Sequence, residues 1–407
     1  MSPNAELLDN ILKKYVDSEA GSAKPLHTAG FIVKDSNGML LMTGQTLYSN
    51  AFGKLSLDDN SAPFTTDSVC FVASLTKLVT AVCSMQLVER GLIGLDDDVG
   101  EVVRELSNTE ILKGFDDEGK AILVKKTKPI TLRNLLTHSS GFCYDKFDPE
   151  MVKWSKSIGR TVDWQSNTIE GFTFPLKFEP DSSWTYGVGS DWAAIVVETL
   201  NGSTLEEYCQ NNIFRPLELS SSTFLISQHP QLASRRAAVA FRLTGKAALQ
   251  SGSDPGPRAP KQIGGGSGLY TTAEDYAKLL GALVGDDPRI LQPQSMEELF
   301  RPQLVNPGAL QAFCDGPSHN LLCPEFPRGL PIDYALGGML NLEDISGKRR
   351  KGSMMWSGYT NPHWWIDRET GIAATLFTQT LPPGDGVVAN LYDELEKVVY
   401  EDIIKKQ

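Results

Sequence analysis

No stretch of this 407-residue chain approaches the ~18 consecutive apolar residues of a membrane-spanning helix, so no bilayer segment is expected. A secretory signal core is missing as well. MSPNAELLDNILKKYVDSEAG interrupts every apolar run with Glu6, Asp9, Lys13, Lys14 or Asp17. That segment reads instead as an amphipathic helix with Leu7, Leu8, Ile11, Leu12 and Val16 on one face. Basic residues are in deficit, 38 against 50 acids for a formal charge of −12. Nucleic acid and anionic membrane both reward clustered Lys and Arg, so neither is expected as a partner. Cysteine is sparse. Cys70, Cys83, Cys143, Cys209, Cys314 and Cys323 form no C-x-x-C pair, which excludes a zinc ribbon or redox dithiol. Reduced, largely buried thiols in a cytoplasmic protein are expected, although Cys314 and Cys323 share a loop-like stretch and could bridge in an oxidising compartment. The five histidines are scattered, with no H-E-x-x-H helix, and neither Walker A, G-x-G-x-x-G nor G-x-S-x-G occurs. No metal or cofactor is therefore expected.

What the chain does have is an ordinary globular composition, 41% hydrophobic and 22% charged. Its length allows two or three domains, or one large two-lobed unit. Residues 28–50 read as two strands joined at Ser36-Asn37-Gly38, a strong hairpin signal. A helix is expected from Ala73 to Arg90, closed by Gly91, with Leu75, Leu78, Val79, Val82 and Met85 at helical spacing. Asp96-Asp97-Asp98 reads as a solvated turn. Helical patterns dominate residues 130–240, including Thr131–Thr137, Asp191–Leu200 and Thr204–Ile213. Thr271-Thr272-Ala273-Glu274 resembles a capping box opening a helix to about Val284. Tyr334–Leu342, Gly352–Trp356, His363–Asp367 and Gly371–Thr378 read as strands, and Val388–Lys405 as a final helix. Two stretches look irregular. Residues 244–268 end in Gly264-Gly265-Gly266-Ser267-Gly268, and residues 302–332 contain six prolines, a long loop of the kind that often forms a lid or channel wall.

Strands at both ends with helices between imply an α+β fold. One antiparallel sheet is built from both termini and flanked by helices, with an inserted mainly helical lobe. The expected division is residues 1–72 and 263–407 for the sheet lobe and 73–262 for the helical lobe. Active sites favour such lobe boundaries.

Ser74-Leu75-Thr76-Lys77 is the chain's single Ser-x-x-Lys. A serine hydroxyl is a weak nucleophile until a base takes its proton. Residues i and i+3 share a helix face, so Lys77 would stand beside Ser74 in the first turn. An amine in apolar surroundings loses its proton more readily than in water and can then serve as that base. The positive end of the helix would favour a developing oxyanion. A helix-start serine with a surface lysine is the plain alternative, and the spacing alone is a weak signal. Two features strengthen it. The flanking Phe71-Val72-Ala73 and Leu78-Val79-Thr80-Ala81 are apolar, and Trp184-Thr185-Tyr186-Gly187 sets a tyrosine in a loop before a helix. A tyrosinate beside an ammonium can shuttle protons, whereas an amphipathic packing role is the bland reading of Tyr186.

At these residues the chain resembles the serine β-lactamase and penicillin-binding-protein superfamily, in its class C and family VIII esterase branch. It is most similar there to fungal transesterases that acylate polyketides. The likeness spans nearly the whole chain, from about residue 28 to about residue 380. It rests on Ser74–Lys77, on Leu132-Arg133-Asn134-Leu135-Leu136-Thr137-His138-Ser139-Ser140-Gly141, on Trp184–Gly187, on Gly264–Tyr270, on Trp356-Ser357-Gly358 and on Pro382-Pro383-Gly384-Asp385. The resemblance implies that Ser74 is the acylated nucleophile, Lys77 its base partner and Tyr186 the proton shuttle. Backbone N–H groups of Ser74 and Tyr359 would form the oxyanion hole, and the turn containing His138 would be structural.

Two departures bear on substrate. Val188 stands where the family usually has Asn, and Trp356 replaces the lysine that attracts a carboxylate. Both disfavour β-lactam hydrolysis and imply a neutral, apolar acyl group with a bulky acceptor. Phe71, Phe142, Phe172, Val188, Trp356 and Gly358 are the expected substrate-binding residues, with Trp184 and Trp192 as further candidate walls. The leading reading is a monomeric acyltransferase that moves an acyl group from a thioester or ester to a small-molecule alcohol, with an acyl carrier protein or CoA thioester as candidate donor. An esterase with the same acyl-enzyme is the alternative. A noncatalytic binding protein on this fold is a third reading, disfavoured because Ser74, Lys77 and Tyr186 are all retained.

Overall fold

β-branched and aromatic residues at the two ends of the chain form one seven-stranded antiparallel sheet. Its order is Thr46–Gly53, Thr28–Asp35, Ile372–Phe377, His363–Asp367, Met354–Ser357, Met339–Asn341 and Ile332–Tyr334. The first two strands come from the N-terminal region and the other five from the C-terminal region. The computed structural model describes residues 4–17, 25–36, 44–243, 248–257 and 260–404. The predicted strands flanking Asn37-Gly38 are present, while that turn lies outside the described residues.

Register decides what each face of the sheet meets. Phe31 pairs with Leu376, and Trp365 with Ala374, so Phe31 and Trp365 share a face. Trp365 packs there on Tyr392 and Tyr400 of the C-terminal helix Gly386–Ile404, which also packs with the N-terminal helix Ala5–Val16. Phe377, one residue along, points to the opposite face and meets Tyr276 of helix Ala273–Val284. Both faces are covered, which accounts for the unbroken burial of strands Thr28–Asp35, Ile372–Phe377 and His363–Asp367. Each large side chain so buried contributes about 1.5–3 kcal/mol.

The segment between the two parts of the sheet is mainly helical, and one continuous hydrophobic core joins it to the sheet. Helices Leu132–Thr137, Gly189–Asn201 and Leu205–Cys209 fall in the expected places. Leu132–Thr137 opens with a capping box between Thr131 and Asn134. Among the described residues no helix is long and apolar enough to cross a membrane. All six cysteines are free and buried.

Three local expectations need correction. Tyr334–Leu342 is two strands, because Ala335 N–H bonds to Gly338 O at 2.8 Å and reverses the chain. A Cβ at Gly338 would lie 2.7 Å from Met355 O, so the Gly337-Gly338 pair marks a turn rather than a strand interior. The cap of helix Ala273–Val284 is Thr272, which accepts from Asp275 N–H, while Glu274 accepts from Thr66 instead of closing a box with Thr271. The proline-rich 302–332 stretch carries two short helices, Gly308–Asp315 and His319–Leu322.

Candidate active site

The site begins with a backbone feature. Strand Val69–Phe71 pairs with Tyr270–Thr272, and the chain then passes through Ala73 in the left-handed region at φ 45°. For alanine that conformation costs on the order of 1–3 kcal/mol and persists only where neighbours enforce it. Thr76 does so from below. Its Oγ1 donates to Ala73 O at 2.5 Å and accepts from Leu269 N–H at 3.1 Å. Val72 N–H also bonds to Leu269 O at 3.1 Å. Ser74 is thereby presented on a 3-10 turn, Ala73–Leu75, at the start of the buried helix Thr76–Glu89.

Lys77 is buried one turn along, and its Nζ makes three contacts: Ser74 Oγ at 3.2 Å, Tyr144 Oη at 3.1 Å and Gly266 O at 2.8 Å. The Gly264–Gly266 loop can supply that carbonyl because it runs hard against two helices. A Cβ on Gly265 would sit 2.4 Å from Ala194 Cβ, and one on Gly266 would sit 2.7 Å from Asp191 Oδ2. Thr80 Oγ1 donates to Gly265 O at 2.7 Å, and Gly266 N–H donates to Asp191 Oδ1 at 2.9 Å. Burial pushes the Asp191 carboxyl up to about 6, against the opposing pull of Lys77.

Tyr186 reaches the same point from the other side, with its Oη 2.7 Å from Ser74 Oγ. The loop that carries it is pressed onto helix Leu132–Thr137. A Cβ on Gly187 would be 2.2 Å from Phe142 O, and one on Gly189 would be 2.2 Å from Leu135 O. His138, at φ 61° at the C-terminus of that helix, stands edge-on to Tyr186 with ring centroids 4.8 Å apart. Burial drives its imidazole well below the usual histidine range, and among the described residues neither ring nitrogen has a hydrogen-bond partner. His138 is therefore a neutral packing surface for Tyr186.

Trp356 completes the cluster from strand Met354–Ser357. Its indole N–H donates to Tyr186 Oη at 3.1 Å, and its ring lies 5.2 Å from that of Tyr186. Gly358 follows, so close to the nucleophile segment that a Cβ would lie 2.4 Å from Val72 O. Thr360 Oγ1 and Gln379 Nε2 both donate to Phe71 O, at 2.9 and 3.0 Å. These bonds tie the strand end to the segment that presents Ser74.

Ser74 opens onto a cavity of about 610 Å³. Phe71, Tyr144, Phe147, Trp164, Phe313, Leu321 and Leu322 line it, together with Trp356 to Tyr359. Gln165, Asn167, Ser267 and Ser357 are its polar lining, and among the described residues no charged side chain lines it. Pro255, Pro257 and Ser267 come from the first irregular stretch, and the 302–332 stretch gives Phe313, Leu321 and Leu322.

Among the residues expected from sequence, the structure brings together Ser74, Lys77, Tyr186 and Trp356, and Phe71, Gly358 and Tyr359 line the cavity with them. Phe142, Phe172 and Val188 do not line it, and neither do Trp184 or Trp192. Phe142 packs on Phe174 and Trp192, and Phe172 packs on Trp192. Val188 is fully buried at the start of helix Gly189–Asn201. Aromatic character near a motif does not say which way a side chain turns, and these turn into the core. Tyr144, Phe147, Trp164, Phe313, Leu321 and Leu322 went unrecognised, since they lie on irregular segments or short helices where no period marks a face.

The Beta-lactamase family model matches residues 39–397. Lovastatin esterase of Penicillium rubens is 33% identical over 384 residues, 89% of this chain and 92% of that protein. Monacolin J acid methylbutanoyltransferase of Aspergillus terreus is 33% identical over 368 residues, 88% of this chain and 89% of that one. Among solved structures, unliganded simvastatin synthase from Aspergillus terreus superposes with a TM-score of 0.86 at 30% identity, covering 98% of each chain. EstCE1, a hydrolase with promiscuous acyltransferase activity, shares the fold at a TM-score of 0.73 and 19% identity. With its Ser74-Lys77-Tyr186 cluster beside strand Met354–Ser357 of a seven-stranded antiparallel sheet, this chain belongs to the β-lactamase family, and its homologues are esterases and acyltransferases.

Proposed function

We propose that this protein is a serine acyltransferase that carries an acyl group from an ester or thioester to a small-molecule alcohol through an acyl-enzyme on Ser74. The observation that carries the reading is the contact of Ser74 Oγ with both Lys77 Nζ and Tyr186 Oη, at 3.2 and 2.7 Å, on the wall of an uncharged, largely apolar cavity. Ser74 Oγ attacks the acyl carbon while its proton passes to the Tyr186–Lys77 pair. Backbone N–H groups of Ser74 and Tyr359 receive the oxyanion. The carbon–sulfur or carbon–oxygen bond of the donor breaks, and the leaving group departs with that proton. An alcohol then attacks the acyl-enzyme, gives its proton to the same pair, and Ser74 recovers it as the new ester leaves. Apolar walls favour transfer by limiting water, which competes with the alcohol.

Substrate preference follows from Trp356. An indole where the family carries lysine offers no charge to a substrate carboxylate, so a neutral acyl group and a bulky, polycyclic alcohol suit this cavity. The methylbutanoyl group in the name of one relative is a neutral, apolar acyl group of that kind, while the acceptor in the same name, monacolin J acid, is an acid. Hydrolysis is the second reading, favoured by the esterase relative at the same 33% identity. Partitioning separates the two. With 4-nitrophenyl butyrate and increasing decalin-type alcohol, a transferase yields butyrate ester at the expense of free butyrate. Release of free butyrate alone at every alcohol concentration would make it an esterase.

A further inference from the structure

We propose that Asp191 is a positioning residue for acylation, holding Lys77 against Tyr186 by fixing the peptide that leads into the Gly266 carbonyl. This role rests on the reading of Ser74 as the acylated nucleophile, and it belongs to a residue that no motif marks.

Lys77 Nζ needs partners that outlast the reaction, because Ser74 Oγ becomes an ester oxygen once acylated. The closest is Gly266 O at 2.8 Å. That carbonyl sits in Gly264-Gly265-Gly266, a run with no side chains to hold it and with the most permissive backbone of any residue type. Its aim is therefore set by the bonds of the preceding peptide, and both polar groups of that peptide are taken. Gly265 O accepts from Thr80 Oγ1 at 2.7 Å, and Gly266 N–H donates to Asp191 Oδ1 at 2.9 Å. Thr80 follows Lys77 by about one turn on helix Thr76–Glu89, which ties the loop to the lysine's own element. Asp191 ties it to a second element, the first turn of helix Gly189–Asn201, which begins just after Tyr186.

One chain of contacts thus runs from the Tyr186 segment through Asp191 and Gly266 to Lys77, and its two ends meet at Ser74 Oγ, at 2.7 and 3.2 Å. Asp191 is buried. A carboxylate out of water is stable only where hydrogen bonds hold it, and a bond to an ionised acceptor is roughly twice as strong as a neutral one. The fit is tight. The three atoms nearest to a Cβ built on Gly266 are Oδ2, Oδ1 and Cγ of Asp191, at 2.7, 3.1 and 3.2 Å. Asp191, Thr80 and Gly266 are all outside the cavity lining, so they act on the lysine and not on the substrate.

Three variants test this. Asp191→Ala removes the acceptor, Asp191→Asn keeps an oxygen for the Gly266 N–H, and Gly266→Ala pushes the loop off the carboxylate while Asp191 stays in place. Burst release of 4-nitrophenol from 4-nitrophenyl butyrate gives the acylation rate and KM of each, alongside intact-protein mass and melting curves. In whichever alanine variant melts within a few degrees of wild type, acylation should slow by about 10- to 100-fold with KM little changed. D191N should stay within about fivefold of wild type, because a neutral oxygen still accepts. A wild-type rate in that alanine variant, a loss carried by KM, or a D191N rate as slow as that of the alanine variant overturns the role of Asp191. Wild-type protein that forms no Ser74-dependent butyryl adduct overturns the acyl-enzyme reading itself, a result separable from the first.

Discussion

Replacing Trp356 by Phe isolates the hydrogen bond that its indole makes to Tyr186. The indole N–H is 3.1 Å from Tyr186 Oη, and the Trp356 ring is 5.2 Å from Tyr186 and 5.3 Å from Tyr334. Phenylalanine retains much of that ring contact and removes the donor. The missing bond to an oxygen that carries charge in the transition state is worth about 1.5–3 kcal/mol, which slows acylation roughly 10- to 150-fold. The smaller ring also leaves a void in a fully buried site, and that costs about 1–2 kcal/mol of folding stability. The two effects separate cleanly. Pre-steady-state release of 4-nitrophenol reports acylation, and a urea transition reports stability. W356F should lose far more rate than its stability change can explain, with substrate KM nearly unchanged. A variant that is destabilised yet acylates at the wild-type rate would refute the argument that the indole N–H serves the proton-accepting oxygen.

Gly358→Ala places a Cβ 2.4 Å from Val72 O and 2.7 Å from Pro362 Cγ. It should cost about 1–3 kcal/mol by overpacking and separate the strand end from the Ser74 segment, seen as a lowered melting temperature together with slower acylation. Asp191→Asn tests a buried carboxyl. Its folded value of about 6 exceeds the ~3.9 of an unfolded Asp, so the native state binds the proton more tightly and wild-type stability falls as pH rises through that window. The loss is on the order of 3 kcal/mol. Urea midpoints between pH 4 and 7 should fall less in D191N than in wild type. Parallel profiles would mean that Asp191 is not the titrating group.

Much of this arrangement is legible in the sequence because it rests on short-range rules. Ser74 and Lys77 meet because they are three residues apart at a helix start, and strand His363–Asp367 follows from the β-formers Trp364, Trp365 and Ile366. Thr131 and Asn134 cap the helix that the pattern predicts. What escaped depends on distance in sequence. Tyr144 contacts Lys77 across 67 residues, and Phe313 joins the cavity wall from a stretch with no usable period. Phe142 and Phe172 were expected at the site for their chemistry, and packing around Trp192 turned them away. Composition names candidates for a wall, but only tertiary packing selects the side they face.

The central claim is the acyl-enzyme, and intact-protein mass spectrometry after brief exposure to a butyryl thioester tests it most directly. All six thiols are buried, so they should not compete for the acyl group. One butyryl group should appear, map to the peptide containing Ser74, vanish in Ser74→Ala, and be discharged faster by a bulky alcohol than by water alone. An adduct that persists in Ser74→Ala, or wild-type protein that carries none, would contradict the account.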